Sequence, residues 1–336
     1  MWGSFRAAAS SNSRSNTSAS STPTERRATT TKWRAAGMSR RGRRRGLVAC
    51  LVAAMLAAAE HAGAASSAVK LHYTAELLGI DALEFSVAVQ EVNDRYRIQV
   101  AGMTEGMVDW LVGWRSFTTV DGALRGTETR PEDYHAINLF RGRRSIVSMR
   151  YTPDGSVEAT ADPPPGDDRD PVSEEQRRSS VDTLTAGLVL GRLLASGQPC
   201  TGRIPIFDGR RRYDLVMEDG GQAPVKLPKA LPAVGAGHAC WFRIHRIAGF
   251  KKKGQTFDKP EYHDRRYRIL SASIVDGFPP LALDVTGEFS LGSFHVHLVR
   301  MERGEAEQLF LREPPFDTSM FRPGESIRPS ASQPSR

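Results

Sequence analysis

Few residues have types and spacing suited to chemistry. His295-Val-His297 sets two imidazoles on one face of a strand, half of a metal site. Phe294, Val296 and Leu298 alternate with them and claim the core, so both histidines are expected to face solvent. No Cys or carboxylate is set beside them by spacing. The plain reading is a pair of surface histidines, with no metal and no other cofactor. Tyr262-His263-Asp264 places an acid next to a histidine, the components of a general base. Adjacent strand residues point to opposite faces, so this run reads as a solvated entry to a strand. Arg210-Arg211-Arg212 and Lys251-Lys252-Lys253 are basic clusters beside turns. They would hold an anionic head group if the fold brings them together, and are simply solvated if it does not. Asp208, in the first of these turns, is read as bonding its own backbone.

The familiar catalytic signatures are missing. The chain has no G-x-S-x-G, no H-E-x-x-H, no Walker loop and no G-x-G-x-x-G. That argues against the commonest hydrolase, metalloprotease and nucleotide-binding readings. No residue is assigned a catalytic role.

Three cysteines occur, and one of them, Cys50, lies in a leader. Cys200 and Cys240 are then the only pair in an exported chain, which makes them a disulfide candidate. Cys240 shares a strand face with Phe242 and Ile244, so it points inward. A bridge over that loop would contribute about 4 kcal/mol in the chain-entropy account. The alternative is two separate buried thiols. There is no C-x-x-C spacing to suggest a redox pair.

The elements that must position these residues begin after a basic leader. The net charge of +8 suggests a nucleic-acid binder until it is located. Residues 1–64 hold eleven Lys/Arg and two acids, which leaves 35 basic and 36 acidic residues for the rest. A near-neutral body has no general attraction to phosphate backbones. Residues 1–37 read as a disordered extension, and translation is expected to start at Met38. Residues 38–64 have the order of a secretory signal peptide: basic residues, the apolar run Leu47 to Ala59, then Ala62-Gly63-Ala64. The run is short for a bilayer span, which needs roughly 20 apolar residues. Leu47-Val48-Ala49-Cys50 resembles a lipobox, but its cysteine precedes most of the apolar segment. The twin arginines at 40–41 lack the apolar pair that should follow. The expected location is periplasmic, with no membrane span after cleavage.

Residues 65–312 read as one β-rich body. Alternating stretches start at Val69, Ala82, Tyr96, Arg115, Ala123, Arg144 and Ser156 in the first half. Others start at Arg203, Arg211, Cys240, Tyr267, Pro280 and Phe294 in the second. Turns are expected at Gly79, Asn93-Asp94, Asp121-Gly122, Asp154-Gly155, Asp208-Gly209, Asp219-Gly220-Gly221, Asp276-Gly277 and Gly292. Pro163 to Pro171 is a loop by composition, a candidate linker between two β halves. Ser173-Glu-Glu-Gln176 is a capping box, and the apolar period beyond it predicts one clear helix over about 174–195. Met107, Trp110, Leu111 and Trp114 fall at helical spacing and are expected to plug one end of the core rather than line a ligand mouth. Residues 313–336 read as a disordered tail. The fold class is therefore mainly β, a curved antiparallel sheet or barrel-like body with one clear α-helix.

Several stretches resemble a bacterial family known as domain of unknown function 3108. They are Cys200-Thr-Gly202, Asp208-Gly209-Arg210, Tyr213-Asp-Leu215, Cys240 with Phe242-Arg-Ile, and Ala248-Gly249-Phe250. Asp182-Thr-Leu184-Thr-Ala186, Pro131-Glu-Asp-Tyr134 and Tyr151-Thr-Pro-Asp-Gly155 are similar to it as well. The likeness covers about 69–302. It implies an exported envelope protein with a curved, β-rich fold, and no catalytic residues. Half-barrel lipoprotein-localisation carriers offer a comparison at the level of fold only. The expected function is non-enzymatic: binding of a lipophilic or anionic envelope ligand, or a structural role. An envelope enzyme acting on cell-wall or glycan material is the alternative, and a partner-binding module with an exposed apolar patch is a third.

Overall fold

The computed structural model describes residues 67–252, 265–289 and 292–318. The leader, Lys253, the Tyr262-His263-Asp264 run and the last part of the tail lie outside these residues.

Among the described residues, thirteen strands form one antiparallel sheet. In chain order they are β1 (Ser67–Leu77), β2 (Ile80–Val92), β3 (Arg95–Thr104), β4 (Trp114–Arg125), β5 (Glu128–Phe140), β6 (Arg143–Tyr151) and β7 (Val157–Asp162). Then come β8 (Gly202–Phe207), β9 (Arg212–Pro224), β10 (Ala236–Ala248), β11 (Tyr267–Ala272), β12 (Leu281–Phe289) and β13 (Gly292–Glu305). The order across the sheet is β7-β6-β5-β4-β3-β2-β1-β13-β12-β11-β10-β9-β8. The first strand therefore sits in the middle, where it joins two meanders by pairing with the last. Four helices occur among the described residues: α1 (Gly106–Val112), α2 (Glu174–Arg177), α3 (Thr183–Ala195) and α4 (Ala306–Leu309). None among the described residues is long and apolar enough to cross a membrane.

The sheet must curl. Helix α3 touches both β5 and β8, which stand third and thirteenth in the sheet order. At about 4.8 Å per strand a flat sheet would hold them about 48 Å apart. A 13-residue helix is only about 20 Å long. Curling brings the two ends together without pairing the edge strands. Gly209, in the β8–β9 turn, lies against Val147 of β6, and Phe207 shares a cluster with Met149 and Val157. Val181 fills the seam by bridging to Ile206 of β8, while Ser179 N donates to Gly155 O beside β7.

Three sequence expectations change here. The helix expected over 174–195 is two helices. The capping box at Ser173 and Gln176 forms, but Ser179 takes a left-handed φ of 56° and Val181 turns aside to pair with β8. Asp182 then caps a fresh start by accepting from Leu184 N and Thr185 N. Asp121-Gly122 is not a turn: β4 continues through it, with a bulge where the register against β5 shifts. A Cβ on Gly122 would lie 2.5 Å from the Tyr96 ring, so this glycine lets that ring lie over the strand. Asp219-Gly220-Gly221 likewise stays inside β9, and Gly220 closely approaches Ala239 of β10. The loop at Pro163–Pro171 opens the connection 163–201 between two β halves, β1–β7 and β8–β13, which are the two meanders of a single sheet.

Because every pairing between strands is antiparallel, the connections alternate between two rims. One rim carries the loops β2–β3, β4–β5, β6–β7, β9–β10 and β11–β12. It is plugged: Leu188 of α3 and Leu231 of the β9–β10 loop join Val69, Ile98, Val120 and Leu283 in the main core. Arg192 of α3 donates to Gly126 O in the β4–β5 turn at the same rim. The other rim carries the β1–β2, β3–β4, β5–β6, β8–β9, β10–β11 and β12–β13 connections.

Candidate functional site: an apolar rim and mouth

The core face loses its cover toward this second rim. Val89 of β2, Leu298 of β13, Leu283 of β12 and Cys240 of β10 are buried. On the same faces, nearer the rim, Phe85 and Val87, Phe294 and Val296, Val285, and Phe242 and Ile244 are only half-buried. Aromatic rings line this mouth. Phe242 stacks on Tyr267 with centroids 5.3 Å apart, and Tyr267 meets Phe294 at 5.9 Å. Gly287 sits beneath that meeting: a Cβ there would lie 2.8 Å from the Phe294 ring and closer still to Tyr267. Tyr73 and Phe85 stack at 5.0 Å on β1 and β2.

The rim itself is apolar. The exposed large hydrophobic side chains among the described residues are Leu78, Ile80, Met107, Trp110, Leu111, Phe140 and Ile247. All seven belong to strand ends or connections at the second rim. Trp110 is 84% exposed and Met107 77%. The expectation that these two plug the core is thereby corrected. Helix α1 forms where the spacing predicts it, but it projects from the rim. Asp109 explains why: it is tied inward by Arg115 at 2.7 Å and Thr104 at 2.7 Å, so the polar side of the helix faces the sheet. Those hydrogen bonds hold the Asp109 carboxyl below its ordinary range.

The basic clusters arrive at the same rim. Pairing of β9 with β10 sets Arg212 opposite Ala248, which brings the β8–β9 turn beside Lys251 and Lys252. Each described cation of the two clusters has a partner within the protein. Arg211 binds Asp208 at 2.8 Å and lies over the Phe250 ring; Arg212 binds Asp214 at 2.6 Å. Lys251 lies 3.4 Å from Asp168, and Lys252 donates to Asp167 O at 2.9 Å. Arg210 is held by neutral acceptors, Ser145 Oγ at 3.1 Å and Pro163 O at 2.6 Å. Asp208 accepts from Arg210 N and Arg211 N, the turn role expected of it.

Cys200 and Cys240 form a disulfide with Cα atoms 5.9 Å apart. Both are buried in a second core cluster with Ile204, Ile206, Met217 and Leu190. Asp219 accepts from Cys200 N at 3.0 Å and binds His238 at 2.6 Å. Hydrogen bonding to His238 lowers the Asp219 carboxyl. His295 and His297 lie on the outward face of β13, and Glu76 of β1 and Asp284 of β12 flank them. Sequence spacing gives no hint of those two carboxylates: Glu76 comes from the first strand of the sheet, and Asp284 meets the histidines only through the register of the β12–β13 pair.

Residues 69–260 match the family model described as Protein of unknown function (DUF3108). The chain belongs to that family. The matched region of this DUF3108 member runs from β1 through β10, which includes the disulfide, α3, the β8–β9 turn and α1. It stops before β11–β13, whose strands complete the aromatic mouth and carry the two histidines. No curated protein and no solved structure matches the DUF3108 chain.

Proposed function

We propose that this protein is an exported envelope protein that binds a lipophilic ligand at the second rim, without catalysing a reaction on it. The observation that supports this reading is the coincidence of two features at one end of the sheet. The core face is left half-covered there, and the exposed large apolar side chains are gathered there. Monomeric proteins seldom leave such groups clustered unless they meet a ligand, a partner or a membrane. A curled antiparallel sheet with aromatic lining can receive an acyl chain in its mouth while the rim shields it from water. Basic residues of the β8–β9 turn and the segment after β10 would sit near an anionic head group. The plugged rim, filled by α3 and the 225–234 loop, makes the site a one-ended mouth rather than a through channel.

The test is displacement of a fluorescent fatty-acid probe from purified protein, with an uncharged long-chain alcohol as a second competitor. The wild-type chain should bind the probe, and Phe294→Asp or Phe242→Asp should weaken it at least tenfold while circular dichroism stays unchanged. Equal competition by the alcohol would assign the affinity to the tail alone. No probe binding by well-folded protein, or equal binding by both variants, would overturn the reading.

A further inference from the structure

A separate group of side chains lies on the outward face of the sheet. His295 and His297 of β13 have ring centroids 5.0 Å apart. Glu76, directly across β1 from His295, offers a carboxylate to the same point. Glu76, His295 and His297 each present one ligand atom, and these atoms all lie within 4.8 Å of one another. The Glu76 Oε1 to His297 Nδ1 separation is 3.8 Å. That is too long for a hydrogen bond. It is near the spacing of two ligands on one tetrahedral ion, about 3.3 Å for bonds of about 2.0 Å. A small movement of either side chain would close the difference.

Two further observations point to a ligand. His297 Nδ1 is shut off from solvent yet has no hydrogen-bond partner. Such a nitrogen calls for an explanation, and an unseen ion is one of the few available. His295 in turn has its Nε2 bonded to the Asp284 carboxylate. That leaves Nδ1 of His295 as its free ring nitrogen, and a carboxylate on the far side of a ligating imidazole is the usual means of orienting it. Arg268 Nη1 lies 3.8 Å from the other Asp284 oxygen and steadies it. The β12–β13 ladder ends at the Asp284–His297 pair, beyond which residues 281–283 part from β13. The gap opens as a groove of about 410 Å³, bordered by Pro224 to Pro228, with room for water or a small anion as a fourth ligand.

We infer that Glu76, His295 and His297 bind a divalent transition-metal ion of the zinc class, with Asp284 as the positioning carboxylate for His295. Two imidazoles and a carboxylate suit zinc, cobalt or nickel better than calcium or magnesium, which prefer all-oxygen sites. The site is distinct from the apolar mouth, since His295 and His297 face away from Phe294 and Val296.

The experiment is calorimetric titration of Zn2+ into the full, non-reduced chain, paired with Co2+ absorption spectroscopy. Wild type should take up one tight equivalent and give a visible Co2+ band of a low-coordinate nitrogen-containing site. His297→Ala and Glu76→Gln should each weaken Zn2+ at least tenfold and remove that band. Asp284→Asn should weaken binding less and shift the band. His72→Ala, on the same strand face as Glu76 but paired with Glu302, should change neither. Should His297→Ala fail to fold, Glu76→Gln decides alone. Binding that is absent in wild type, or equal across wild type, His297→Ala and Glu76→Gln, overturns the site.

Discussion

The Tyr96 hydroxyl of β3 and the Thr185 hydroxyl of α3 lie 2.8 Å apart, both buried. Thr185 is also the residue whose hydroxyl donates to Asp182, the buried cap of α3. One short chain of polar groups therefore fixes the helix inside the curled sheet. Asp182→Ala should cost about 2–4 kcal/mol, since it removes the cap and leaves buried N–H groups unpaired. Tyr96→Phe should cost about 1 kcal/mol. Equilibrium urea unfolding measures both. Burial raises the Asp182 carboxyl above its ordinary 3.8 despite the hydrogen bonds it accepts. The native state then holds that proton more firmly than the unfolded state does. Its contribution to stability is greatest below pH 3.8 and declines as pH rises through the raised native value. Relative to Asp182→Asn, wild-type stability should fall across that interval; a flat or rising difference would contradict this.

Gly122→Ala should be one of the most damaging small substitutions in the sheet. The added carbon would stand 2.5 Å from the Tyr96 ring and closer still to Arg130 O. Displacing that ring also strains its bond to Thr185, so a loss of about 2–4 kcal/mol is expected. Gly187→Ala in α3, where the added carbon meets nothing within 4 Å, should instead be neutral or stabilising. Thermal melts of the two variants give the comparison.

The disulfide ties β10 to the segment entering β8. Chain-entropy reasoning assigns it about 4 kcal/mol, mostly by restricting the unfolded chain. Cys200→Ala/Cys240→Ala should therefore lower the urea midpoint substantially with its fold retained. Thiol titration of denatured, unreduced protein should find neither Cys200 nor Cys240 free.

Trp110→Ser and Met107→Ser should leave stability within about 0.5 kcal/mol, because both side chains are already in water. Their effect should appear when the rim is occupied. Tryptophan emission of the wild type should shift to the blue on addition of the fatty-acid probe or of phospholipid vesicles. The Trp110→Ser chain should lose that component of the shift.

Alternation along the chain was enough to identify nearly every strand, because a half-covered sheet writes its period into the sequence. The same alternation assigned His295 and His297 to the outward face and Phe294 and Val296 to the inward one. Cysteine parity identified the disulfide pair. Glycines were harder to read. Gly122 and Gly220 look like turn residues, yet they serve close packing inside strands, and only the neighbouring strand reveals the difference. Met107 and Trp110 depart from the sequence expectation for a related reason. Helical spacing shows that two side chains share a face, but whether that face meets the core depends on Asp109 finding Arg115 and Thr104.

What the sequence determined by itself is the local grammar: strands, caps, the paired cysteines and the family. Tertiary structure alone decided the order of thirteen strands, the two unlike rims, and the meeting of Glu76 and Asp284 with two histidines more than 200 and about ten residues away respectively. The physical reason is that pairing between distant strands is set by the best burial of all faces at once. No local pattern encodes which strand will lie beside which.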